Sequence, residues 1–123
     1  MTGAQNRRAA ERRGRRAETL AAWVLRLKGY RILARGWRTR ATGEIDIVAR
    51  RGRLVAFVEV KARARVGAAA HALSPAPQAR IARTAEAFMQ RHPRLGGCSW
   101  RFDAILVRPG RWPNHIRDAW RVG

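Results

Sequence analysis

The sequence predicts an α/β protein, a central mixed β-sheet flanked by α-helices, with elements in the order α-β-β-β-α-β-β. Two short apolar runs, Gly43–Arg50 and Leu54–Arg63, meet at a Gly-containing turn and read as a β-hairpin. Helical periodicity stands both before and after that hairpin, so helices and strands interleave instead of segregating. The length of 123 residues suits one domain with a modest core.

Each element follows from local chemistry. Residues 1–13 are polar and basic, which predicts a disordered arm able to touch phosphates, with residues 14–123 forming the single domain. From Gly14 a helix is expected, because Ala17, Leu20, Ala21, Val24 and Leu27 or Lys28 recur at helical spacing until Gly29 ends it. Tyr30 to Trp37 reads as a first strand, and Glu44 to Arg50 with Arg53 to Lys61 as the hairpin. Ala62 to Leu73 is a Gly- and Ala-rich loop carrying Arg63, Arg65 and His71. Ser74 followed by Pro75 starts a second helix, buried through Ile81, Ala85, Phe88 and Met89 and stopped by Pro93. Trp100 to Val107 alternates as a strand, and His115 to Trp120 is a last short one. The three histidines lack metal-ligand spacing and are expected at the surface or at caps. Of the tryptophans, Trp37 is kept as a candidate base-stacking platform, since it leads toward the hairpin.

Several classes are excluded. Cys98 is the single cysteine, so no disulfide framework exists. No apolar stretch approaches a membrane span, and the Arg-rich start lacks a secretory hydrophobic segment, so a cytoplasmic location without a membrane partner is expected.

Chemistry concentrates in the hairpin. A turn at Arg51-Gly52 places Glu44 opposite Glu59 and Asp46 opposite Phe57. Strand alternation then puts Glu44, Asp46, Val48, Val55, Phe57, Glu59 and Lys61 on one face, with Ile45, Ile47, Leu54, Ala56, Val58 and Val60 on the other. Asp46 becomes the diagonal neighbour of Glu59, roughly 7 Å away. Carboxylates gathered on neighbouring strands repel unless a cation lies between them. Hard oxygen donors without cysteine or a nearby histidine favour Mg²⁺ or Mn²⁺.

Charge supplies an independent argument. The chain has 27 basic and 8 acidic residues and a net charge of +19, so phosphate backbones are the expected partner. Only two of those basic residues are lysines, and one, Lys61, stands two residues from Glu59. Three of the eight acids fall in the one hairpin, which makes an incidental grouping the poorer reading.

Gly43-Glu44-Ile45-Asp46-Ile47-Val48-Ala49, Phe57-Val58-Glu59-Val60-Lys61-Ala62-Arg63 and Arg101-Phe102-Asp103 together resemble the bacterial YraN family, which is similar to the PD-(D/E)XK restriction-endonuclease-like superfamily. The resemblance implies a restriction-endonuclease-like fold. It matches Asp46 to the superfamily's first acid, Glu59 and Lys61 to its E-x-K element, and Glu18 to a helix glutamate that assists the metal in junction-resolving relatives. Ile45 stands where the superfamily name has proline.

The resulting expectation is a Mg²⁺-dependent nuclease acting on DNA, including branched or junction DNA. Asp46, Glu59 and Lys61 are the catalytic candidates, and Asp46 and Glu59 with Glu18 and Glu44 the metal candidates. Arg63, Arg65, Arg15 and Arg16 are the phosphate contacts. Symmetric cutting of two strands favours a homodimer. The rival is a noncatalytic nucleic-acid-binding protein that keeps the fold; an RNA-binding factor would leave the acids unexplained.

Overall fold

The computed structural model describes residues 3–62 and 75–120, with side chains over 14–62 and 78–120. In chain order the elements are α1 (Gly3–Leu27), β1 (Arg31–Thr39), β2 (Gly43–Arg51), β3 (Leu54–Ala62), α2 (Pro75–Arg91), a 3₁₀ turn (Pro93–Leu95), β4 (Ser99–Val107) and β5 (Asn114–Trp120). The expected order is therefore present. The helix α1 begins at Gly3, ahead of the start expected at Gly14, so the basic segment over residues 3–13 continues the helix.

The five strands lie in sequence order across one sheet. β1, β2 and β3 are antiparallel neighbours, β3 and β4 are parallel, and β4 and β5 are antiparallel. A parallel pair needs a crossover, and the connection carrying α2 supplies it. The sheet is covered on both faces. Ala21, Ala22 and Leu25 of α1 pack on Ile47, Ala49, Ala56, Val58 and Ile105. On the other face Ile81, Ala82, Ala85 and Phe88 of α2 pack on Val48, Val55, Phe57, Phe102 and Trp120.

On α1 the expected Ala17, Ala21 and Val24 are buried, but the stripe is turned slightly from the expected one. Ala22 and Leu25 are buried, whereas Leu20 and Leu27 are exposed. Alanines on both sides of this contact let the helix lie close to the sheet, so the side with small residues turns inward. Glu18 flanks that inward side. On the α2 face Phe57 is the centre: its ring meets those of Phe88, Trp100 and Phe102 at 5.8, 5.5 and 5.9 Å. Burying each such aromatic contributes about 1.5–3 kcal/mol. Trp37 belongs to this packing, edge-on to Phe88 at 5.2 Å, which removes it as a stacking platform.

The hairpin turn is Gly52-Arg53, closed by Arg51 opposite Leu54. Gly52 has φ 61°, the positive value a type II′ turn demands at its first central residue, and this moves the register by two residues from the one expected. The shift preserves which residues alternate. It changes which ones face each other.

One buried charge ties β4 to β5. Asp103 is fully buried, and its Oδ1 accepts from Arg101 Nε at 2.7 Å and from the Asp118 backbone N–H at 2.9 Å. Its Oδ2 accepts from Arg101 Nη2 and His115 Nε2, both at 2.8 Å. His115 Nδ1 lies 3.0 Å from Lys28 Nζ; an ammonium can only donate, so the imidazole proton sits on Nε2 and faces Asp103. His115 was expected at the surface, yet its side chain is 1% exposed. Burial pushes the Asp103 carboxyl up, but the bonds from His115, Arg101 and the Asp118 N–H outweigh it and hold it at about 2.

Asp103→Asn is expected to cost about 3–5 kcal/mol in urea unfolding, because it strips the charge from a saturated buried cluster. Glu44→Gln, at an exposed pair with Arg38, is expected to cost no more than about 1 kcal/mol. Since the folded-state value of Asp103 is depressed, its stabilisation is present above about pH 4 and is lost as pH falls toward about 2.

Candidate metal centre

The β2–β3 pairing runs from Arg51–Leu54 to Ile47–Val58 and stops, although β2 reaches back to Gly43 and β3 continues to Ala62. Beyond that point β2 stays with β1, through Ile45–Trp37 and Glu44–Arg38. β3 stays with β4, through Glu59–Ala104 to Ala62–Val107. The sheet forks there, and the next residues on the two branches are Asp46 and Glu59.

Side-chain chemistry maintains the fork. The Val60 backbone N–H donates to Asp46 Oδ2 at 2.8 Å, so a carboxylate accepts the hydrogen bond at the point where the ladder ends. Strict alternation fails here: Ile45 packs with Val48 and Phe57, on the face opposite to the one expected. The Asp46 carboxylate thus reaches across the gap between strands instead of standing on one face. Because of the shifted register, Asp46 faces Glu59 across the fork, where the sequence had suggested a diagonal, and Glu44 is not opposite Glu59.

Glu59 follows the parity of Phe57 and is turned toward α2. It lines a cavity of about 210 Å³ with Thr42, Gly43, Glu44, Arg80 and Ile81. Its Oε1 is buried and has no hydrogen-bond partner among the described residues, while Oε2 lies 3.9 Å from Lys61 Nζ. Burial pushes the Glu59 carboxyl up and the neighbouring Asp46 charge pushes it further, while Lys61 and the Asp46 backbone N–H pull it back, leaving it at about 8. Asp46 is raised too: burial and the charges of Glu18 and Glu44 act against the Val60 N–H and Lys61. A buried acid beside a half-buried one cannot readily ionise together with it without an added positive charge.

The other candidates are arranged differently. Glu18 Oε1 is 3.3 Å from Arg35 Nε, and Glu44 Oε2 is 3.2 Å from Arg38 Nη2. Both lie near enough to Asp46 to raise its carboxyl, but each is paired with an arginine. Among the described residues no three histidine, cysteine or acidic side chains gather closely enough to hold an ion. Asp46, Glu59 and Lys61 are brought together; Glu18 and Glu44 form a surrounding ring. Arg15 and Arg16 are exposed on α1, and Arg63 and Arg65 lie outside the described residues.

Two contributors were missed in the sequence. Arg80 lines the cavity with Glu59, and Thr42 ties the β1–β2 loop to α2, accepting from Thr84 Oγ1 at 2.8 Å while also bonded to Thr39. The Thr39-x-x-Thr42 spacing at a tight turn was a readable signal for the second. Nothing local marked Arg80.

The model of the uncharacterised protein family UPF0102 matches residues 17–107, a span that includes the fork and both of its acids. The chain belongs to the UPF0102 family. It is 56% identical over 117 residues to a UPF0102 protein of Paramagnetospirillum magneticum, covering 93% of this chain and 91% of the relative. A UPF0102 protein of Parvibaculum lavamentivorans is 55% identical over 113 residues, covering 92% of this chain and 84% of the relative. The resemblance read from the hairpin motifs is thus supported at the level of this YraN-like family. Family membership brings no activity with it, so chemistry must be argued from the fork.

The proton on Glu59 makes stability depend on pH. Its folded-state value is raised, so its stabilisation is greatest below about pH 4.5 and is lost as pH rises toward about 8. In metal-free protein the urea midpoint of Glu59→Gln should therefore gain on that of the parent across this range. Parallel midpoints for the two proteins would show that Glu59 ionises normally.

Proposed function

We propose that this protein is a divalent-metal-dependent nuclease of the restriction-endonuclease-like class, hydrolysing phosphodiester bonds in DNA. The observation that carries the reading is Glu59 Oε1, a buried oxygen without a hydrogen-bond partner among the described residues, beside the half-buried carboxylate of Asp46. A fold that only needed strand pairing would have no use for that pair.

The donor set fits a hard cation. Asp46 and Glu59 offer carboxylate oxygens alone, the preference of Mg²⁺ and Mn²⁺. An ion held by these two would supply positive charge to a phosphate and acidify a water molecule. The chain's own residues do the rest. Val60 orients Asp46 through its N–H. Lys61, half-buried beside Glu59, carries three N–H donors that can orient the attacking water or meet charge developing on phosphorus. Arg80, exposed at the same cavity, is placed to hold a neighbouring phosphate without reading its base.

The forked mixed sheet between two helices, with D…E-x-K at the fork, supports the superfamily assignment. Net charge +19 supports a nucleic-acid partner. A second reading, a binding protein without turnover, is favoured by the arginine pairs of Glu18 and Glu44, which leave two carboxylates for the metal.

Calorimetry should find that Asp46→Asn and Glu59→Gln each remove Mn²⁺ binding while the metal-free protein stays at least as stable. Unchanged Mn²⁺ affinity in both would falsify the assignment.

Lys61→Arg separates catalysis from binding. The charge is kept, so a protein that grips phosphates should bind as before or better. Cleavage should drop strongly, because a planar, permanently protonated guanidinium cannot take the place of a compact amine. The assay compares Mg²⁺-dependent cutting of single-stranded, duplex, flapped and four-way DNA. Cutting at the parental rate would remove Lys61 from catalysis.

Backbone charge should dominate affinity. Neutralising about 6 to 10 phosphates implies a loss of roughly 10³ to 10⁵ between 50 and 200 mM salt, measured by fluorescence anisotropy.

A further inference from the structure

The closed end of the β2–β3 hairpin carries a basic cavity of about 280 Å³, lined by Arg31, Arg50 and Arg51 together with Gly29 and Gly52. It lies away from the acids. Asp46 is four residues from Arg50 along β2, about 13 Å at the rise of a strand.

The pairing of charges there reverses what β1 and β2 do beside the fork. Arg38 stands opposite Glu44 and pairs with it at 3.2 Å, whereas Arg31 stands opposite Arg50. Like charges directly opposite each other destabilise a sheet. Among the described residues none of Arg31, Arg50 and Arg51 is in an ion pair, although Arg35, Arg38 and Arg101 all are.

Neutral groups hold two of the three guanidiniums in place. Arg51 Nη1 donates to the Lys28 carbonyl at 3.3 Å, and its guanidinium lies over the Tyr30 ring, 4.8 Å from the centroid. Arg50 Nε donates to the Gly52 carbonyl at 2.9 Å. A guanidinium has five N–H donors, so each is oriented yet keeps most of its donors, and its whole charge, for a ligand. The two glycines leave the approach open, and a Cβ at Gly52 would meet no atom within 4 Å. The excess of positive charge reaches Lys28 too, whose ammonium is pushed down by burial and then by the charges of Arg117 and Arg51.

Oriented guanidiniums crowded without an acid call for an anion, and their forked donors match the oxygens of a phosphate. We infer that Arg31, Arg50 and Arg51 form a phosphate site that grips the backbone of the nucleic acid several base pairs from the cut. Each strand of a duplex carries one phosphate per 3.4 Å of axis, so about 13 Å along β2 corresponds to about four base pairs. This rests on the nucleic-acid reading above and deepens it. Contacts to the backbone fix register and orientation without reading sequence, so the hairpin turn would position the substrate for the fork.

The test uses the full-length, metal-free protein and a labelled blunt duplex, followed by fluorescence anisotropy across a salt series. The double variant Arg31→Gln with Arg50→Gln should bind on the order of tenfold more weakly, with a slope of log affinity against log salt shallower by about 1, the share of one phosphate. A control removes the same charge elsewhere: Arg83→Gln with Arg94→Gln, both at exposed positions, should leave the slope close to the parental one. An unchanged slope in the first variant, or an equal change in the control, would overturn the inference. In urea the first variant should be at least as stable as the parent, since an opposed pair of like charges is gone. A lower midpoint would show that the pair braces the sheet, which also overturns it. Inorganic phosphate separates the two sources of the ligand, and calorimetry should find it bound weakly. Tight binding that is lost in the double variant while the duplex slope stays unchanged would assign the site to a small phosphate and overturn the backbone reading.

Mn²⁺ binding keeps the two proposals separable. Loss of Mn²⁺ in Glu59→Gln with the parental salt slope intact, and retention of Mn²⁺ in the double arginine variant, supports both. A parent that binds no Mn²⁺ yet shows the effect of the double variant overturns the metal reading alone, and one that binds no nucleic acid overturns both.

Discussion

Val60 donates its N–H to the Asp46 carboxylate at 2.8 Å, at the point where the β2–β3 ladder ends, and the sheet divides from there. That single substitution of a side-chain oxygen has several consequences. It frees β2 to follow β1 and β3 to follow β4. It turns Asp46 into the gap between the branches and leaves Glu59 facing it from the α2 side. A continuous antiparallel ladder would have put strand backbone in that gap, with no room for chemistry between the strands. The cost is visible in the acids themselves, both shifted toward the protonated form, Asp46 by burial and the charges of Glu18 and Glu44, Glu59 by burial and the charge of Asp46.

The molecule contains an internal control for what a purely structural acid looks like. Asp103 is as buried as any residue in the protein, yet every one of its bonding directions is used, and its carboxyl sits at about 2. Glu59 is also buried, but one oxygen is unpartnered among the described residues and its carboxyl sits at about 8. Burial is common to the two, so burial cannot explain the difference. Arginine and imidazole donors surround Asp103, whereas Glu59 faces another carboxylate, one lysine at 3.9 Å and the Asp46 backbone N–H. A fold able to neutralise Asp103 so completely, in a chain with 27 basic residues, leaves Asp46 and Glu59 in mutual repulsion. Function is the simplest reason for such an arrangement to persist.

The hairpin, the element order and the grouping of Asp46, Glu59 and Lys61 were legible in the sequence because each rests on local rules: strand alternation, turn residues and helical spacing. Register was not, since Gly52 can be the first or the second residue of a two-residue turn, and the choice follows from the sign of φ that the strands' twist demands. Ala17, Ala21 and Val24 of α1 are buried as their spacing predicts, but hydrophobicity also favoured Leu20 and Leu27, while close approach to Ala49 and Ala56 favoured Ala22. Nothing local could announce the Asp103 cluster. Arg101 and Asp103 share β4, but His115 and Asp118 reach them only through the β4–β5 pairing and Tyr30 only from the turn after α1.

α2 has a role beyond covering the sheet. Phe88 and Ile81 pack into the core, and this fixes the rotation of the helix. With the rotation fixed, Arg80 must fall at the Glu59 cavity and Glu86 at an aromatic one walled by Trp100, Phe102 and Trp120. Thr84, fully buried between them, bonds to Thr42 and so joins the same helix to the β1–β2 loop beside the fork. A small rotation of α2 would therefore shift the walls of both cavities at once and strain the Thr84–Thr42 bond. Geometry at the acid pair and geometry at the aromatic cavity are two readings of one packed helix. A ligand at either place would meet a common rigid wall, so a contact made well away from the acids would influence what is presented to them.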